Sequence, residues 1–400
     1  MKKIYFFVIM YFSVLFIYAQ TENDFEVTLT TDNTGAVITR YKGGAIAQLR
    51  IPDHIQGFPV KEIGSFVFQN NYNINSVILP YAIKKIGDEA FYGCRNLTTV
   101  IIPSNVESIE FVTRSARSPS GGYYNTANFG GCNLNLSSMA ALKQRSYHEN
   151  FTSKSIGDYS VTLTNDYTGL IITSFRHTRN SFDVSIPGNL EGMPVKEIGR
   201  GSFVRQLMWG DESNGRLLIP EGVEIIRQNA FGGGDKNFGS NFTSIIMPNT
   251  LRIIEKEAFS LCRRLTNVII PEGVTTIGDN AFNQCENLTN ITIPSTVTII
   301  GNNAFSRLRN LTQVNINSST NSNDRIIGNG VFSFCDRLVT IIIPEGIIEI
   351  GEGAFSNCSS LSSVVLPSSL MRIGNNAFIN TRLPLSTQAE LRRKGYTGNF

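Results

Sequence analysis

A phrase that returns every 23 residues constrains this chain more than any other feature. It reads LPYAIKKIGDEAFYGCRNLTTVIIP from Leu79, MPNTLRIIEKEAFSLCRRLTNVIIP from Met247, IPEGVTTIGDNAFNQCENLTNITIP from Ile270 and IPEGIIEIGEGAFSNCSSLSSVVLP from Ile343. Pro80 and Pro103, Pro248 and Pro271, Pro271 and Pro294, and Pro344 and Pro367 each stand 23 residues apart. A fixed period in the twenties means one coil of a solenoid per repeat, stacked on its neighbours because no coil can bury its apolar face alone.

Within the coil that begins at Pro271, the apolar positions are Val274, Ile277, Ala281, Phe282, Leu288, Ile291 and Ile293. Their spacing fits neither one long helix nor one long strand, and is expected of inward side chains stacked on the same positions above and below. The β-branched, alternating NLTNITIP phrase predicts the strand of the coil, ended by a proline that cannot donate to a ladder. IGDNAFNQC, with small residues ahead of a large phenylalanine, predicts a short helix or helical turn across the coil.

These landmarks resemble the BspA-type leucine-rich repeat, written much like IPxxVxxIGxxAFxxCxxLTxVxIP, over nearly all of the chain after its first residues. The resemblance implies a right-handed α/β solenoid, with a parallel β-sheet on the concave face and short helical turns opposite. It also implies an exported or surface-exposed bacterial protein, since several members of that family are implicated in adhesion to host proteins.

A longer duplication overlies the short one. DFEVTLTTDNTGAVITRY from Asp24 matches DYSVTLTNDYTGLIITSF from Asp158, and both read as a β-hairpin able to cap a solenoid's open end. FGGCNLNLSSMAALKQRSYHENF, ending at Phe151, aligns without gaps on FINTRLPLSTQAELRRKGYTGNF, ending at Phe400. Ser137 and Ser386 are the expected N-caps of a short closing helix. The domain reading is a first capped module over 24–151, a polar linker over 152–157 and a second capped module over 158–400. Ahead of them, Lys2 and Lys3, an apolar run from Ile4 to Tyr18 and then Ala19 read as a signal peptide over 1–19, too short an apolar run for a membrane span. The chain is thus expected to be exported, to the cell surface, the outer envelope or the medium.

Composition narrows the chemistry. The 35 Lys and Arg balance 32 Asp and Glu with the signs interspersed, so neither nucleic acid nor an anionic membrane is called for. Three histidines far apart, His54, His148 and His177, and no CxxC or Cys/His cluster argue against a metal site or a His-based nucleophile. No cofactor, small-molecule substrate or enzymatic activity is expected. The six cysteines, Cys94, Cys132, Cys262, Cys285, Cys335 and Cys358, each follow the repeat phenylalanine by three residues, which makes them a repeat position of small buried thiols. Consecutive-coil spacing still leaves a disulfide open for Cys262 with Cys285 and for Cys335 with Cys358.

In the LTxVxIP phrase the two x positions face outward. In the second module one outward row reads Arg216, Ser244, Asn267, Asn290, Gln313, Thr340, Ser363, and its neighbour reads Leu218, Ile246, Ile269, Thr292, Asn315, Ile342, Val365. A nearly uncharged polar row beside an apolar one suits a protein or an extended peptide; the alternative is that these residues only serve strand propensity or lie under a neighbouring module. Insertions are the second candidate: Arg114, Arg117, Tyr123 and Tyr124 in the segment from Glu110, and Trp209 and Phe238 in two segments expected on neighbouring coils. The functional reading is a binding protein, an adhesin toward host matrix or plasma proteins or another cell-surface protein. The alternative is a structural assembly protein that self-associates, and a weaker third is an enzyme-anchoring module.

Overall fold

The computed structural model describes residues 20–112, 115–117, 123–125, 128–130, 132–147, 153–176, 183–203, 215–233, 242–318 and 325–400, with the backbone alone for 115–117 and 123–125. The chain divides into two compact units, Met1–Asn150 and Phe151–Phe400.

The coil from Pro271 explains the rest. Its seven inward residues, Val274 to Ile293, are fully buried. Its β-branched stretches form two short strands, Thr276–Ile277 and Asn290–Ile293, and each pairs in parallel with the strand one coil on. Thr276 registers with Ile299 and Ile277 with Ile300; Asn290 registers with Gln313 and Ile291 with Val314. A parallel ladder between identical coils puts identical residues side by side, so every inward column is continuous.

In Phe151–Phe400 the Ile-Gly step of the repeat builds a 12-stranded sheet. It opens with the antiparallel strands Lys154–Ile156, Tyr159–Leu163 and Leu170–Phe175, then runs in parallel through Met193–Ile198, Ile225–Ile226, Ile253–Ile254, Thr276–Ile277, Ile299–Ile300, Arg325–Ile327, Ile347–Ile350 and Arg372–Ile373, with Asn189–Leu190 paired antiparallel to Met193–Ile198 as the twelfth. The LTxVxIP phrase builds a second row in three blocks: Val184–Ser185 through Gly215–Leu218 and Phe242–Ile246 to Asn267–Val268, then Asn290–Ile293 with Gln313–Ile316, then Thr340–Ile342 with Ser363–Val365. The residues read as a linker thus include a strand, Lys154–Ile156, laid on the hairpin that follows it. Met1–Asn150 repeats the plan. Phe25–Leu29, Ala36–Tyr41, Phe58–Ile63, Lys85–Ile86 and Glu110–Phe111 form one sheet, and Gln48–Arg50, Ser76–Ile78 and Thr99–Ile101 the other.

Among the described residues the helical turn expected across the coil is absent. Asn280 and Gln284 take φ of 55° and 60°, as do their counterparts Asn303 (56°), Arg307 (59°), Asn376 (55°) and Asn380 (59°). Two left-handed residues per coil break any helix, and asparagine tolerates that region better than most residues. The arc sends alternate N–H groups along the stack instead. Asn280 N donates to Asn302 O at 2.8 Å, Phe282 N to Ala304 O at 2.8 Å and Gln284 N to Ser306 O at 3.0 Å. A helix would use those donors on its own carbonyls. The expected α/β solenoid is therefore a β-solenoid, and among the described residues the only α-helices are Leu136–Lys143 and Leu385–Arg393. Neither is capped by the serine expected. Asn135 caps the first, its side chain accepting from Ser138 N at 2.8 Å, and Pro384 stands at the second with no side-chain bond. Both helices begin one residue ahead of Ser137 and Ser386, which places those serines inside the first turn.

Phenylalanines fill the interior as one aromatic column per unit. In the second unit Phe231, Phe259, Phe282, Phe305, Phe332, Phe355 and Phe378 stack nearly face to face, with centroids 5.2, 5.1, 5.4, 5.7, 5.5 and 5.4 Å apart in sequence order. Tyr396 closes the column edge-on, 5.8 Å from Phe378, and its hydroxyl accepts the Phe378 N–H at 3.3 Å while donating to Asn399 O at 2.7 Å. Tyr147 meets Phe129 in the same way, edge-on at 5.8 Å and accepting the Phe129 N–H at 3.4 Å. Beside this column Gly278 stands where a Cβ would lie 2.5 Å from Lys256 N, so the coils close to a distance only glycine permits there.

Two substitutions test this stacking by chemical denaturation. Phe305→Ala is expected to lower the unfolding free energy by about 3–5 kcal/mol, the usual cost of emptying a large buried aromatic site. Tyr396→Phe keeps the ring and orphans the Phe378 N–H, so a smaller loss of about 1 kcal/mol is expected.

Candidate interaction surface

Alternation along the LTxVxIP strands decides which side chains are free. Val268, Ile291, Val314, Ile341 and Val364 point inward and are buried, so the residues on either side of each point out. The apolar outward row is strongly exposed: Ile269 at 71%, Ile342 at 59%, Ile246 at 57%, Val365 at 51% and Leu218 at 43%. Thr292 and Asn315 continue it in the middle coils and are exposed as well. Ladder register holds the row in line, pairing Leu218 with Ile246, Thr292 with Asn315 and Ile342 with Val365.

The polar row runs alongside. Arg216 registers with Ser244 and Ser244 with Asn267, Asn290 registers with Gln313, and Thr340 with Ser363. Asn267, Asn290, Gln313 and Thr340 are exposed, and Ser244 and Ser363 half-buried. The side chain at its one charged position, Arg216, donates to Asp183 through Nε at 3.3 Å and Nη2 at 3.0 Å, and its backbone N–H reaches the same carboxylate at 2.8 Å. Those bonds hold the Asp183 carboxyl below the usual carboxylate range, so the pair stays ionised and largely self-compensating at neutral pH. The rim beside the rows is tied down by threonines: Thr243 Oγ1 donates to Gly215 O at 3.2 Å, Thr266 to Thr243 O at 3.0 Å and Thr312 to Thr289 O at 3.0 Å.

A second outward apolar row escaped the sequence reading. On the 12-stranded sheet Ile225, Ile253, Thr276, Ile299 and Ile326 fall in one register line, with Ile299 and Ile326 exposed. Ion pairs flank it, Arg227 between Glu197 and Glu255 at 2.8 Å each on one side and Arg372 with Glu349 on the other. The signal was present in the Ile-Ile doublets of EIIR, RIIE, TIIG and RIIG, where one isoleucine is buried and its neighbour must face out.

Of the insertion residues, Arg114, Trp209 and Phe238 lie outside the described residues. Arg117, Tyr123 and Tyr124 fall on a β-hairpin, Ser115–Arg117 against Tyr123–Asn125, where Arg117 registers with Tyr123 and Ala116 with Tyr124. No group of three or more His, Cys, Asp or Glu able to hold a metal ion occurs among the described residues. No helix among them is long and apolar enough to cross a membrane. The cysteines are donors in the stack: Cys285 Sγ donates to Phe259 O at 3.2 Å, and Cys358 Sγ to Phe332 O at 3.1 Å.

Comparison with known proteins settles the repeat. Six copies of the BspA-type leucine-rich-repeat model match residues 44–113, 226–325 and 325–389, more than half of the chain. The chain belongs to the BspA-type leucine-rich-repeat family. Members of that family are scaffolds for protein contact, and no enzymatic family is indicated. Among solved structures the chain is similar to a leucine-rich cell surface protein from Faecalibacterium prausnitzii, with 23% identity, 91% of this chain and 93% of that one covered, and a TM-score of 0.31. It is also similar to a leucine-rich-repeat protein from Bacteroides ovatus, with 18% identity, 94% and 96% covered, and a TM-score of 0.34. The leucine-rich-repeat protein of T. pallidum gives 18% identity, 95% and 98% covered, and a TM-score of 0.27. No curated protein matches the chain.

The outward row is expected to be dispensable for folding. Ile269→Ser, at an exposed position, should change stability by less than about 0.5 kcal/mol in chemical denaturation. Ile291→Ser, which buries an unpartnered hydroxyl one coil on, should cost about 3 kcal/mol or more.

Proposed function

We propose that this chain is an exported bacterial surface protein that binds a protein partner, an adhesin whose contact face is the apolar row Leu218, Ile246, Ile269, Thr292, Asn315, Ile342 and Val365 with the polar row beside it. The observation that carries this reading is the line of exposed aliphatic side chains, Leu218, Ile246 and Ile269 on one side of polar Thr292 and Asn315 and Ile342 and Val365 on the other, exposed apolar surface of the kind that marks interfaces in soluble proteins. Asn267, Asn290 and Gln313 supply uncharged hydrogen-bonding groups along its flank. Host matrix or plasma proteins, or proteins on another cell, are the partners such a face suits, through many modest contacts rather than one essential residue. The LTxVxIP rows form the concave side in this reading. Residues 1–19 act as the signal peptide, and the hairpins and closing helices cap two modules, 24–151 and 158–400, joined through 152–157. Arg117, Tyr123 and Tyr124, with Arg114, Trp209 and Phe238, form a second contact region on the insertions.

One observation favours a second reading. The row Ile299 and Ile326 adds another exposed apolar line on the other sheet, which a self-associating envelope protein would use against its own copies.

The test is equilibrium binding of residues 20–400 to a panel of extracellular-matrix and plasma proteins, beside the variant Ile246→Ser, Ile269→Ser, Ile342→Ser, with sedimentation equilibrium on both. Saturable binding by a monomer, weakened at least about ten-fold in the variant, is expected, because three interfacial aliphatic side chains are lost. Binding that survives the variant moves the site to the insertions. Absence of binding with concentration-dependent oligomers replaces the adhesin by the assembly protein. Because the face carries no histidine and Asp183 is held below the usual range, affinity should be flat between about pH 5.5 and 8 and only weakly salt-dependent.

A further inference from the structure

Every cysteine of the chain has another cysteine at the same position of an adjacent coil: Cys94 with Cys132, Cys262 with Cys285, and Cys335 with Cys358. All six are free thiols. The three pairs are not equivalent. Five of the six side chains are fully buried, and Cys132 alone reaches partial exposure. Two backbone bonds clamp the first pair's arcs together on the N-terminal side of the thiols, Phe91 N to Asn128 O at 3.0 Å and Gly93 N to Gly130 O at 2.7 Å, under rings stacked 5.1 Å apart. Both thiols point the same way, Cys94 Sγ donating to Phe68 O at 3.0 Å and Cys132 Sγ to Phe91 O at 3.2 Å. Neighbouring positions of a parallel stack lie about 4.8 Å apart, inside the Cα range that a disulfide spans.

The pairs differ in what they would enclose. Cys262 to Cys285 and Cys335 to Cys358 each close one plain coil, whereas the loop from Cys94 to Cys132 contains the inserted hairpin Ser115–Arg117 and Tyr123–Asn125. We propose that Cys94 and Cys132 are a disulfide-forming pair, closed by exchange with a small-molecule or protein disulfide outside the cytoplasm, and that the bond fixes the base of that inserted hairpin while the other four thiols stay reduced.

Access and acidity are divided between the two thiols. Their mutual interaction holds the Cys94 thiol below its ordinary value and pushes the Cys132 thiol well above it, and burial pushes the Cys285 and Cys335 thiols well up. Cys132, the thiol of the pair that reaches solvent, loses its proton to water and attacks the donor disulfide, making a mixed disulfide and releasing one donor thiolate. Cys94, the more acidic thiol, then loses its proton and attacks the Cys132 sulfur, releasing the second donor thiolate. The two protein thiols lose two protons and two electrons, one S–S bond forms between them, and the donor disulfide is reduced to two thiols.

The experiment uses the full chain in glutathione disulfide and glutathione buffers, quenched by alkylation and mapped by peptide mass spectrometry. A Cys94–Cys132 cross-link is expected at least about ten-fold faster than any bond among the other four cysteines, since exchange requires access and only this pair has a thiol that reaches solvent. Cys94→Ser should leave a persistent glutathione adduct on Cys132, Cys132→Ser should abolish reaction in the folded chain, and the oxidised chain should melt several degrees higher. Circular dichroism on both variants checks that they fold. A wild-type chain that stops at the Cys132 adduct, that reacts equally at all three pairs, or that reacts only in denaturant would overturn the proposal.

Discussion

Many backbone N–H groups in each coil find their acceptors in an adjacent coil, and most other features follow from that dependence. At the Ile-Gly strand and the LTxVxIP strand donors and acceptors run along the stack, and in the left-handed arc alternate N–H groups do so. A coil on its own would bury few of its apolar groups and satisfy few of these bonds, so stability grows with each neighbour added. The aromatic column acts in the same direction, since each phenylalanine is sandwiched only when the coils on both sides are present. The free energy of the fold is therefore carried along its length, and its weak points are its ends.

The ends answer that problem with chemistry the coils do not use. At the last coil of each unit no further arc offers a carbonyl, and a tyrosine hydroxyl takes the phenylalanine N–H in its place, with the ring turned edge-on to finish the stack. At the starts stand antiparallel hairpins, Phe25–Leu29 with Ala36–Tyr41 and Tyr159–Leu163 with Leu170–Phe175. Their turns are held by Asp32 and Asp166, whose carboxylates accept from the threonine hydroxyls on either side, which keeps both carboxyls well below the usual range. An antiparallel strand presents its spare edge to solvent or to one more strand, and Lys154–Ile156 is that extra strand in the second unit.

Much of this was legible because the period forces identical residues into register. Val274, Ile277, Phe282 and Leu288 announce themselves as one inward face by recurrence alone, and so do the outward Ile246 and Ile269 once the strand is placed. The arc was misread for a physical reason: a phenylalanine after small residues looks helical when only side chains are weighed, yet the left-handed Asn280 and Gln284 are set by where the N–H groups must point. The Ile-Gly strand was missed because two residues are too few for an alternation pattern. The serine caps failed by two residues, Asn135 standing where Ser137 was expected and Pro384 where Ser386 was.

The same constraint separates what the repeat can vary from what it cannot. Inward columns and the glycine beside the aromatic stack are fixed by close approach, while most outward positions of the LTxVxIP strand are exposed. A chain under selection for stacking alone would fill such positions with charged or small polar residues, which keep a long sheet face soluble and discourage edge or face association. Here they hold isoleucine, valine and leucine in five coils and almost no charge, against the solubility argument and in one line. Strand propensity accounts for β-branching at these sites, but threonine would serve that need equally well, as it does at Thr292 and Thr340. The excess of aliphatic surface over what the fold requires is therefore the part of the sequence that stacking leaves unexplained, and a protein surface pressed against it is the physical circumstance in which that excess becomes favourable.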